Sequence, residues 1–117
     1  MTIDPIIDPT TIADLKATVG ADFIGELIAA YLDDTPRLIA ELELNLAKQD
    51  AAVFGRTAHS IKSSSASLGA LSFAALAKEL EMIGKEGNLV GVEPKVKRLA
   101  VEYVQVKTSL EELKDGT

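Results

Sequence analysis

Residues 93–113 read EPKVKRLAVEYVQVKTSLEEL. Within them Val96, Leu99, Tyr103, Val106, Leu110 and Leu113 recur at alternating spacings of three and four, separated mostly by charged or polar residues. That period lays one apolar stripe along a helix, the pattern of a bundle seam. Glu93-Pro94 fits the helix start, where a proline's missing N–H costs nothing. Such a helix cannot bury its stripe alone, so the rest of the chain must supply matching faces.

Moving outward, it does. Gly84, Gly87, Asn88 and Gly91 read as the loop before this helix. A helix from about Ala70 to Lys85 precedes that loop, with Phe73, Leu76, Ala77, Leu80 and Ile83 inward. Before it, Asp50 is placed to cap a helix whose core stripe is Phe54, Ala58, Ile61, Ser65 and Leu68, closed by Gly69. Residues 21 to about 48 carry a long stripe from Phe23, Ile24, Leu27 and Ile28 through to Leu42 and Leu46. Pro36 interrupts one backbone hydrogen bond there, and the stripe resumes beyond it, which predicts one kinked helix and not two. Asp8-Pro9 opens a short leading helix with Ile12, Leu15 and Val19, ending at Gly20. No segment alternates like a half-buried strand. Short connections between consecutive amphipathic helices imply antiparallel neighbours. The expected fold is all-α: an antiparallel up-and-down four-helix bundle with a short additional N-terminal helix, in one domain over residues 1–117.

Composition narrows the function. The 117 residues are 47% apolar but only 4% aromatic, enough for one core built of Leu, Ile, Val and Ala. There is no cysteine and one histidine. Disulfide-stapled folds, thiolate metal sites and multi-histidine zinc sites are therefore excluded. Twelve basic residues against 18 acidic give a net charge of −6 and a pI near 4.7, with no general attraction to nucleic acid or anionic lipid. Mean hydropathy is +0.17, yet charges interrupt every long apolar stretch, so no membrane span is expected. Met1-Thr2-Ile3-Asp4-Pro5 has neither a basic nor an apolar region of a signal peptide, which points to the cytoplasm.

The lone histidine, His59, follows Ala58 on the third helix, about 100° round from the buried stripe. Its surface neighbours at three and four residues are Gly55, Arg56, Lys62 and Ser63, with Ala52 and Ala66 one turn further. An imidazole among such small side chains is open to another macromolecule. With a reference pKa of about 6.5 an imidazole is mostly neutral near pH 7, hence a competent nucleophile, and two flanking cations suit a phosphoryl group placed on it. A surface histidine on an amphipathic helix is also commonly inert. The serines at 60, 63, 64, 65 and 67 can supply small volume and local backbone hydrogen bonds. No base is paired with any of them in sequence, which argues against a serine hydrolase. No Gly-rich phosphate loop or acidic set recognisable for Mg²⁺ accompanies them.

The run Ala58-His59-Ser60-Ile61-Lys62-Ser63-Ser64-Ser65-Ala66-Ser67-Leu68-Gly69-Ala70 resembles the signature of histidine-containing phosphotransfer (HPt) domains. That signature has Ala-His, an aliphatic residue two positions on, Lys three on, small residues and a Leu-Gly pair. The family fold is also a four-helix bundle, often with a further short helix. The resemblance implies a carrier and not an autonomous kinase. His59 would accept a phosphoryl group on Nε2 from a receiver-domain aspartate and pass it to another, and Lys62 would neutralise it. Partners would be response-regulator receiver domains and a hybrid sensor histidine kinase; the chain would need no cofactor, the Mg²⁺ belonging to the receiver.

Ser63 stands where the family often has Gly, which bears on partner preference. On the next helix, where the family commonly has Gln, a hairpin turning near Gly69-Ala70 brings residues 80 and 81 level with His59. Leu80 points inward, leaving Glu81, with Lys78 a turn earlier. Glu81 could orient the imidazole through Nδ1–H, repel the phosphate, or merely pair with Lys78 or Lys85. The expected docking surface takes in Gly55, Arg56, Ser63, Ala66 and Lys78, with an apolar centre from the long helix near Ile24–Ile28 or Leu38. A helical adaptor that binds without phosphoryl transfer and a small hydrolase using His59 are the alternatives.

Overall fold

The computed structural model describes residues 5–115, and the reading of residues 1–4 as lacking a signal peptide lies outside them. Five helices follow in order: α1 (Pro9–Val19), α2 (Ala21–Ala47), α3 (Ala51–Ser67), α4 (Leu71–Glu86) and α5 (Glu93–Asp115). Among the described residues there is no strand.

The helix ends follow from local chemistry. The Asp8 carboxylate accepts the Thr11 N–H at 3.1 Å, and Pro9 stands in the first turn of α1. Gly20, with φ 91°, turns the chain directly from α1 into α2, in a region that side-chain-bearing residues avoid. The 27-residue α2 runs through Pro36 as a single helix. Asp50 caps α3 by accepting the Val53 N–H at 3.2 Å. The α3–α4 turn is tied to the start of α1, where the Asp8 N–H donates to the Gly69 carbonyl at 2.8 Å.

Packing closes a ring: α2 lies on α3, α3 on α4, α4 on α5 and α5 on α2, while α1 docks on α2. Ile28, Leu42, Phe54, Ile61, Leu80, Leu99 and Leu110 fill the middle, all essentially inaccessible to water. Each large aliphatic side chain so buried contributes about 1.5–3 kcal/mol. Tyr103 leans on both Tyr31 and Phe73, with ring centroids 6.4 and 6.0 Å apart. The buried Ser65 is satisfied by the Tyr31 hydroxyl at 2.7 Å, a hydrogen bond that joins α2 to α3. Among the described residues no helix is long and apolar enough to cross a membrane.

Three details depart from the sequence reading. Gly84 belongs to α4 and not to the following loop. Phe23 is 46% exposed, in the first turn of α2 beside the α1–α2 junction and on a different side of the helix from the buried Ile24. Ile24 and Ile28 lie in the core, so neither can form the apolar centre of a docking surface. Leu27 and Leu38 are half-buried.

Candidate functional site

α3 and α4 run antiparallel and press together where each has a glycine. A Cβ on Gly84 would fall 2.6 Å from the Gly55 Cα, 2.7 Å from its nitrogen and 3.0 Å from the Ala51 carbonyl oxygen. These are all backbone atoms, which cannot step aside, so this closeness requires glycine at 84. Gly55 is accordingly buried against α4, not displayed on the open face expected for it, although its edge lines a groove of about 750 Å³. Arg56, His59, Ser60 and Lys85 line the same groove.

The close approach brings the side chains of one turn further along into contact. His59 Nδ1 lies 2.8 Å from Glu81 Oε2, and Lys62 Nζ donates to Glu81 Oε1 at 2.7 Å. Lys85 Nζ stands 3.4 Å from Oε2. The Glu81 side chain is only 6% exposed, whereas that of His59 is 56% exposed. The carboxylate is thus the buried anchor and the imidazole the part that meets solvent.

The Lys62 ammonium, with the His59 and Lys85 contacts, holds the Glu81 carboxyl down at about 2 from an ordinary 4.5, against the opposing effect of burial. Glu81 is therefore an anion near neutral pH and can only accept hydrogen bonds. The proton in its contact with His59 must then sit on Nδ1, which leaves Nε2 with its lone pair outward. Of the roles open to Glu81 from sequence, a merely exposed ion pair is excluded by its burial. Lys78, the other proposed partner, is exposed and stands outside this cluster.

Ser63 is exposed with its Oγ 3.5 Å from Nε2, and Ala66 is half-buried. Glu81, His59 and Ser63 thus stand in the order of a hydrolase triad. The serine contact is long, however, and the backbone N–H groups beside Ser63 lie inside α3, where the helix uses them, so no oxyanion hole accompanies it. Ser60, Ser64 and Ser67 donate to carbonyls four residues earlier, the local bonding expected of helical serines. Among the described residues, no group of three His, Cys, Asp or Glu is disposed to hold a metal ion.

Two contributors escaped the sequence reading. Lys85 appeared only as a possible surface partner, and Gly84 as a loop residue. A signal for Gly84 existed in the pair of mid-helix glycines that an antiparallel α3–α4 hairpin would bring level.

The Hpt domain family model matches residues 26–116, and the chain belongs to that family of histidine-containing phosphotransfer domains. Its fold is that of histidine-containing phosphotransfer protein B (HptB) from Pseudomonas aeruginosa PAO1, whose crystal structure superposes with a TM-score of 0.91. The two share 24% sequence identity over 98% of this chain and 99% of that one. A search of curated proteins finds no match.

Proposed function

We propose that this chain is a phosphorelay intermediate that takes a phosphoryl group onto His59 Nε2 from a receiver-domain aspartate and returns it to another receiver. The observation that carries the reading is the posture of His59: Nδ1 anchored 2.8 Å from a buried carboxylate, and the rest of the ring exposed. In the forward step the Nε2–P bond forms as the P–O bond to the aspartate breaks, and the electron pair of that bond stays on the aspartate carboxylate. Lys62 then turns from Glu81 toward the phosphoryl oxygens and offsets their charge, while Lys85 remains on the carboxylate. The scaffold acts as an antiparallel up-and-down four-helix bundle that presents the ring at fixed depth.

Docking uses Arg56, Ser63, Ala66 and Lys78, with Leu38 as the apolar contribution of α2. The partners are receiver domains and a hybrid sensor histidine kinase in the cytoplasm. The chain is a carrier and not a kinase in its own right, and the receiver brings the Mg²⁺. The test is transfer from a receiver charged with a small phosphodonor to wild type and to His59→Gln. Wild type alone should acquire phosphate that, in the denatured chain, resists alkali and is lost in acid, and the variant should retain its helical circular dichroism. Equal labelling of the variant would move the acceptor elsewhere. No transfer from any of a panel of receivers would favour a non-phosphorylated adaptor.

A further inference from the structure

We propose that Glu81 is a positioning residue that holds the proton on His59 Nδ1 through both halves of the cycle, so that the phosphoryl group arrives and departs with no proton moving. The inference rests on His59 Nε2 being the acceptor and concerns the ring after the group has arrived.

The neutral ring carries one proton, on Nδ1. When Nε2 forms its bond to phosphorus, the ring becomes an imidazolium that still bears that proton. It can then keep the proton or lose it to water, and the outcome decides how the phosphoryl group leaves. From a protonated ring, the N–P electron pair returns to Nε2 and the leaving group is neutral imidazole. From a deprotonated ring it would be imidazolate, a far poorer leaving group.

What faces Nδ1 governs the choice. On α3 the charged neighbours are Arg56 and Lys62, and on α4, besides Glu81, it is Lys85, all three cations that favour loss of the proton. On α2, which meets α3 through Ser65, Arg37 is paired with Asp33 and Asp34. Glu81 opposes the cations from direct contact, with Oε2 at 2.8 Å from Nδ1. Its Oε1 accepts from Lys62 Nζ at 2.7 Å, and Lys85 Nζ approaches Oε2 at 3.4 Å. Two lysines make the placement durable: when Lys62 turns to the phosphoryl group, Lys85 still steadies the carboxylate. A buried anion fixed in this way gives the ring a charge-assisted hydrogen bond that is strongest when the ring is positive.

The test is ring-nitrogen NMR on isotope-labelled wild type and Glu81→Gln, phosphorylated by phosphoramidate with no receiver present. Near pH 8.5, about two units above the reference value of an imidazole, phosphorylated wild type should keep its Nδ1–H and Glu81→Gln should lose it. At that pH the variant should release its phosphoryl group about a hundredfold more slowly, the difference that keeping the proton two units above the reference value requires and the upper range of one charge-assisted hydrogen bond. The same Nδ1 state in both proteins, or equal release, would overturn the proposal. Should the variant not fold, phosphorylated wild type in its native form and in urea makes the comparison. Native protein should keep the proton and unfolded chain lose it, and no difference overturns the idea. Failure of Nε2 to take phosphate from either phosphoramidate or a receiver would instead sink the acceptor reading, and this inference with it.

Discussion

Two grooves of similar volume run along the molecule, one of about 750 Å³ between α3 and α4 and one of about 680 Å³ between α2 and α5. The α2–α5 groove is floored by Leu46, Ala47, Val96 and Ala100, with Glu43, Glu93 and Lys97 at its edge. The α3–α4 groove has glycines where the other has aliphatic side chains, and at its head stands an exposed imidazole locked to a buried carboxylate. Size does not separate them; chemistry does. The aliphatic side of the ring of helices holds the structure together by burial, which is tolerant of small shifts. On the α3–α4 side, backbone-to-backbone contact sets the distance between His59 and Glu81, and the proposed function depends on that distance.

If the two sides are as separate as this, damage to one should leave the other intact. The largest effect on stability should come from Leu99→Ala on the α5 seam, a fully buried side chain whose truncation costs about 2–5 kcal/mol. Denaturant unfolding would measure it, and the fraction still folded should accept phosphate at the wild-type rate. A wild-type stability would mean that the seam is misplaced, and slowed transfer in folded protein would couple the two sides.

The next effect in size sharpens the comparison within the α3–α4 side. Gly84→Ala forces a methyl group to within 2.6 Å of the Gly55 backbone, so it should destabilise by about 1–3 kcal/mol and slow transfer by spreading His59 from Glu81. Gly55→Ala is the control, since its new Cβ would find ordinary contacts at 3.5 Å and should be much milder. Equal effects of the two substitutions would show that the helices can slide apart freely.

The smallest effect is in acid. Glu81 titrates at about 2 when folded and near its ordinary 4.5 when unfolded, so the unfolded chain binds more protons between those values. Its contribution to stability is therefore complete above about pH 5 and is lost as the pH falls toward 2. Glu81→Gln should flatten that limb of a stability–pH curve measured by chemical unfolding. An unchanged limb would mean that the two lysines and the imidazole around the carboxylate add nothing to the fold.

Much of this was legible in the chain. The stripe from Val96 to Leu110 is buried as its spacing requires, and Asp8, Gly20 and Asp50 bound helices as their chemistry predicts. Ile24 and Ile28 show the limit: an apolar stripe tells which face is apolar, but not how much of it a neighbouring helix will cover. Gly84 shows another, because a glycine in a helical pattern reads equally as an end or as a contact until its partner is known.

The sequence by itself determined the helices, their order, the open setting of His59 among small residues and the level at which Glu81 would meet it. Those are properties of period, capping and hairpin length, all local to one or two helices. Only the tertiary structure decided that Glu81 is buried, that Lys62 and Lys85 converge on it, and that the proton of the His59 contact lies on Nδ1. Burial and ionisation depend on how closely α3 and α4 approach, and that distance was set by Gly84 against the backbone of Gly55, a contact that neither residue announces alone.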